Sequence, residues 1–195
     1  MPTGVALRDP REQLFGAAER ILLRDGPNAL TSRAVTAEAG CAKGVLHRHF
    51  ADFDTFLVEF ALERIARTEA RAMALLDDAG TGTVTGNLAQ ALTDVFGPVD
   101  VAVIALITYR DDLRARLRRI RQADGIPLIR DIGAMISGYL TAERDLGRVA
   151  ADADLAVLAP TLLGAGHLRF ADRVSSPPGS DTVRRMVATI LGGAV

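Results

Sequence analysis

LTSRAVTAEAGCAKGVLHRHF, residues 30–50, decides the fold of this 195-residue chain. Thr31 or Ser32 can cap a first short helix whose inward face is Val35, Ala39 and the aliphatic part of Thr36. Gly40 marks the end of that helix, because glycine enters the left-handed backbone region at no steric cost. Cys41 and Ala42 bridge to a second helix beginning near Lys43, in which Leu46 and Phe50 face the core. Lys43, Gly44, Val45, His47 and Arg48 are left outside. Two short helices across a glycine-centred turn read as a helix-turn-helix, and the outer set suits a DNA groove. The first turn of the second helix offers free N–H groups and a positive dipole end to phosphate, and Gly44 lets the backbone come close.

The flanking sequence supports this pair. Residues 11–25 repeat apolar side chains at Leu14, Ala17, Ala18, Ile21 and Leu22, the spacing of an amphipathic helix, and Gly26-Pro27-Asn28 ends it. That helix completes a three-helix head. After Ala51, Asp52 is placed to cap a long helix with Phe56, Leu57, Phe60, Ala61 and Ile65 on its buried side, running to about Asp77 or Asp78. Its start touches the head and its remainder belongs to the body, so it is the natural lever between them. Residues 80–86, GTGTVTG, read as a loop; no Gly-Lys-Ser/Thr follows and no strand precedes, which argues against a phosphate cradle. Further helical patterns cover residues 87–96, 99–110, 111–123, 127–146, 152–172 and 181–191, with a loop at VSSPPG, residues 174–179. Residues 101–107 are short, apolar and β-branched, yet without a partner strand they read as a buried helix. The expected fold is all-α: a head over residues 8–53 and a larger helical body over residues 54–195.

Composition bounds the function. The formal charge is −1 overall, against a general nucleic-acid coat, but residues 1–50 carry seven Arg/Lys and five Asp/Glu while residues 51–195 carry sixteen and nineteen. The head is therefore weakly basic, the sign a DNA reader needs. A single cysteine excludes an internal disulfide framework, Arg8, Asp9, Pro10 and Arg11 interrupt any signal-like apolar run, and the charge-free stretch 155–168 is too short to span a bilayer. A cytoplasmic protein without a membrane partner is the expectation.

Arg33 to Gly40 spells RxxxxEAG and Lys43 to Phe50 spells KGxLxRHF, a string that resembles the TetR family of bacterial repressors over roughly the first quarter of the chain. The resemblance implies that Thr31 and Arg33 contact phosphate and that Lys43, Gly44, Val45, His47 and Arg48 line the recognition helix. Arg48 has the fork that matches guanine O6 and N7. Val45, His47 and Phe53 stand where the family commonly has threonine, tyrosine and lysine, which moves base selection toward Lys43, Gly44 and Arg48.

The resemblance also implies a homodimer on a palindromic, double-stranded operator, released by a small and mainly apolar effector. The dimer is expected through the last two helices, by Leu155, Leu158, Leu162, Gly164, Gly166, Val183, Val187 and Ile190, with the glycines allowing close helix approach. An effector site is expected among Phe96, Ile104, Thr108, Met135 and Tyr139, which mix apolar walls with hydrogen-bonding groups and would equally serve as ordinary core.

Other features favour plainer readings. His47 and His49 point to different sides of one helix and His167 is remote, so no metal is expected. Cys41 reads as a small hydrophobe and the arginine run 110–121 as a solvated face. No catalytic motif and no cofactor signature is present, leaving a helical metabolite-binding protein or enzyme without DNA recognition as the competing reading.

Overall fold

Asp9 opens the first helix by accepting the backbone N–H groups of Arg11 and Glu12, with Pro10 at the first helical position, where its missing donor costs nothing. This is α1, Pro10–Asp25, in the computed structural model, which describes residues 9–171 and 178–195. Gly26 at φ 82° ends it and returns its N–H to the Leu22 carbonyl. A 3-10 turn, Pro27–Ala29, leads to α2, Ser32–Glu38, capped by Thr31 through the Ala34 N–H. Gly40 at φ +65° makes the turn into α3, Lys43–His49. Asp52 then caps α4, Phe53–Asp77, by accepting from the Thr55 N–H at 2.6 Å.

The body follows as α5, Val84–Val95; α6, Pro98–Tyr109; α7, Asp111–Arg121; α8, Ile129–Asp145; α9, Leu155–Phe170; and α10, Ser180–Leu191. No strand occurs among the described residues, and residues 101–107 lie within the buried α6. Two of the boundaries that differ from the sequence expectation have local reasons. Thr83 caps α5 through the Gly86 N–H and Val84 is buried, so the glycine stretch turns helical three residues early. Asp154 caps α9, which therefore starts at Leu155 rather than at residue 152. The loop expected over residues 174–179 lies mostly outside the described residues.

One apolar core runs without a break from Leu14 in α1 to Leu191 in α10. Where head meets body it is aromatic: Phe15, Phe50, Phe53, Phe56 and Phe60 meet with ring centroids 5.1–6.3 Å apart. Helix α4 is the spine, packing on α3 at one end and on α5, α6, α7 and α8 along its length. Helix α4 therefore joins the head and the body within this one core.

Candidate nucleic-acid interface

Helix α3 has only two turns, and its orientation follows from what it buries: Leu46 is fully enclosed and Phe50, just past its end, nearly so. The opposite face therefore points to solvent. Lys43, Gly44, His47 and Arg48 are exposed on it, with Val45 half-buried at its edge, and Thr31 and Arg33 are exposed at the start of α2. The charged side-chain groups of Arg33, Lys43 and Arg48 have no ion-pair or hydrogen-bond partner among the described residues. The other described cations of the head are occupied: Arg11 pairs with Glu59, Arg20 with Glu38, and Arg24 with Glu38 and Asp25. The small positive excess is thus concentrated on one face, the electrostatic footprint of phosphate binding. A Cβ built at Gly44 would meet nothing within 4 Å, so the protein itself does not require glycine there.

Glu38, part of the EAG string, has a role that sequence reading missed. Hydrogen bonds from Arg20 and then Arg24 hold its carboxyl below the usual range, and they tie α2 to α1. The signal was absent locally, since these partners lie 18 and 14 residues away. Cys41 is half-buried, and burial raises its thiol pKa, which keeps it in the unreactive protonated form.

A second set of charges joins head to body. Arg64 of α4, only 5% exposed, donates to Asp100 Oδ1 at 2.9 and 2.6 Å and to Glu19 Oε1 at 3.0 Å. Asp100 opens α6 and is 2% exposed, Glu19 lies on α1, and Arg71 adds a contact to Asp100 Oδ2 at 3.3 Å. Arg110, at the other end of α6, donates to the Leu30 carbonyl at 3.2 Å. Both ends of α6 are therefore latched to the head. The α7 arginines are not simply a solvated face: Arg114 pairs with Asp111 and reaches the Ile107 and Thr108 carbonyls, Arg118 reaches the Gly125 carbonyl, and Arg121 pairs with Glu69 and Asp131.

The body residues singled out in the sequence are placed as follows. Leu155, Leu162, Gly166, Val183 and Val187 are buried within the protomer, not on its surface. Gly166 lies so close to Phe96 that an added Cβ would come within 2.8 Å of the ring, so its small size serves packing of α9 on α5. Leu158 and Ile190 are half-buried, and Gly164 is exposed. The outward stripe of α9 is instead Val157, Thr161, Gly164 and Leu168, with Val157 57% and Leu168 77% exposed. Phe96, Ile104, Met135 and Tyr139 are buried core and Thr108 is half-buried. Their polar groups are already satisfied: the Thr108 hydroxyl donates to the Ile104 carbonyl, and the Tyr139 hydroxyl donates to buried Glu143 and accepts from Asn87. Burial, then the Glu143 contact, raises the Tyr139 pKa. The cavities found among the described residues are lined by other residues, for example one of about 460 Å³ beside Arg11, Phe15, Glu19, Glu63 and Arg67 and one of about 350 Å³ between Asp54, Leu57, Tyr109, Arg110 and Arg116. No group of three His, Cys, Asp or Glu among the described residues is placed to hold a metal ion, and no single described helix is long and apolar enough to cross a membrane.

Residues 14–59 match the sequence profile of the bacterial regulatory proteins of the tetR family. These residues form a TetR-type N-terminal domain. The matched span covers most of α1, the helix-turn-helix and the start of α4. No curated protein matches the chain by sequence. Solved structures do match its fold through the body: the fatty acid degradation regulator FadR from Bacillus halodurans, at 14% identity over 97% of this chain and 98% of that one, gives a TM-score of 0.74. FadR from Bacillus subtilis, solved in complex with stearoyl-CoA, gives 0.69 at 14% identity over 93% and 98%. GusR from Salmonella enterica gives 0.66 at 18% identity over 93% and 95%.

Proposed function

We propose that this protein is a cytoplasmic TetR-family transcriptional repressor that reads a palindromic operator as a homodimer and lets go when a small, mainly apolar ligand binds its body. The observation that carries DNA reading is the face formed by Arg33, Lys43, Gly44 and Arg48, with three unpartnered cations around a glycine. Lys43 and Arg33 serve phosphate, with Thr31 beside them, and Arg48 serves a base edge. Residues 8–53 act as the head and residues 54–195 as sensor and dimer body. The dimer forms through the outward stripe of α9, Val157, Thr161, Gly164 and Leu168, since the deeper residues of α9 and α10 are committed to the protomer.

The effector must favour the arrangement of heads that does not fit the operator, since a ligand shifts an equilibrium only by its difference in affinity between the two states. The Arg64 bridge and the Arg110 contact supply a route, because a ligand that displaces α6 disturbs both attachments to the head. The stearoyl-CoA in the Bacillus subtilis structure supports an apolar effector class. In this chain the apolar walls between α5, α6, α8 and α9 must part to admit one.

Selection of bound duplexes from random DNA tests the proposal directly. Arg48→Ala is expected to erase preference for the selected sequence. Lys43→Ala is expected to weaken binding to every duplex and lower the salt slope by about one. Wild-type affinity with neither sequence preference nor salt dependence would overturn the DNA-reading function.

A further inference from the structure

Two turns of helix cannot hold their own direction in water, so the surroundings of α3 set the angle at which Lys43, Gly44 and Arg48 are presented. Leu46 and Phe50 fix its buried side. Its C-terminal end is met by Arg11, from the first turn of α1. Nη1 of Arg11 donates to the His49 carbonyl oxygen at 3.3 Å, the guanidinium carbon lies 4.5 Å from the centroid of the Phe50 ring, and Nη2 donates to Glu59 of α4. One side chain thus joins α1, the end of α3 and α4.

The chemistry requires arginine. A cation at a helix C-terminus complements the dipole there. A planar guanidinium can stack on a ring while donating from its edges to two acceptors, which an ammonium cannot do. The Arg11 side chain is 42% exposed and that of Glu59 is 34% exposed, so the ion pair adds little to global stability. Its effect falls on geometry.

We propose that Arg11 is a positioning residue for DNA reading: it clamps the C-terminal end of the recognition helix so that Arg48 meets its base edge in register. This rests on the DNA-reading function proposed above. The test compares full-length wild type with Arg11→Gln, Arg11→Lys and Glu59→Gln on one selected operator duplex and one unrelated duplex, each over a salt series and alongside thermal midpoints. Arg11→Gln is expected to lose about tenfold in operator affinity, the scale of one misaligned bidentate base contact, with unrelated-duplex affinity and salt slope unchanged. Arg11→Lys should recover only part of the loss, and Glu59→Gln should shift the same ratio less. These two variants decide the matter if Arg11→Gln does not fold.

Equal losses on both duplexes with a slope lower by about one would mean that Arg11 touches phosphate, and would overturn the proposal. So would unchanged binding, or equal losses on both duplexes accompanied by a large fall in midpoint. A wild-type protein without sequence preference would overturn the DNA-reading function itself, and this inference with it.

Discussion

Gly44→Ala separates what the fold needs at the reading face from what DNA needs. The new methyl would meet no protein atom within 4 Å, and Gly44 lies inside α3 at a position without positive φ. Free protein should therefore gain from the substitution: alanine exceeds glycine by roughly 0.5–1 kcal/mol in a helix interior, somewhat less in a first turn. For a chain of this size that raises the thermal midpoint by at most about 4 °C. Against DNA the same methyl projects from the exposed face and holds the helix off the duplex by about 1 Å. A displacement of that size spoils a bidentate contact worth roughly 1–3 kcal/mol, so operator affinity should fall about 10- to 100-fold. The assay is fluorescence anisotropy on the selected operator at fixed salt, with a melt of the same sample. Gly138→Ala is the control, because Gly138 in α8 also has open space around a built Cβ and lies away from the reading face. It should be no less stable and should bind as wild type does. Gly44→Ala protein that is at least as stable as wild type and binds the operator equally well would refute the placement of Gly44 against DNA.

Two further outcomes follow from buried groups. Asp100→Asn leaves Arg64, at 5% exposure, without its main counter-charge and should cost about 3–5 kcal/mol, seen as a midpoint roughly 6–20 °C lower. Combining Arg64→Met with Asp100→Leu should recover most of that, and a single-variant loss under about 1 kcal/mol would show that the bridge does not carry the junction. Burial lowers the pKa of His167, which packs against Phe96 with ring centroids 5.8 Å apart. The unfolded chain then binds the proton more readily, so this contribution to stability is complete above the ordinary histidine value of about 6.5 and declines as pH falls below it. Denaturant midpoints measured between pH 7.5 and 5.5 should fall less in His167→Gln than in wild type, and equal slopes would remove His167 from the account.

The reading head was legible in the sequence because its signals are local: a threonine cap, a glycine at positive φ and apolar residues at helical spacing all act within a few positions of one another. The long helix was legible for the same reason, through Asp52 and the phenylalanines behind it. What stayed hidden depends on partners distant in sequence. Nothing near Arg64 announces that it meets Glu19 and Asp100, 45 and 36 residues away. Helix α9 is ambiguous for a different reason. Leu155, Leu162 and Gly166 look alike whether they face a second protomer or their own core, and only the position of Phe96 against Gly166 decides it. The expected ligand-site residues carry the same ambiguity: Tyr139 is buried with its hydroxyl held between Asn87 and Glu143, which suits a core position and a pocket wall alike.

The Arg64 bridge sets where this molecule can be cut and rejoined. A graft that moved only residues 8–53 onto another sensor would strand Glu19 without Arg64 and bare the faces of Phe15 and Phe50 that rest on Phe56 and Phe60. A working chimera has to carry α4 at least through Arg71 and find a carboxylate in the recipient where Asp100 stands. Modularity in this protein therefore begins one helix later than the boundary of its reading motif.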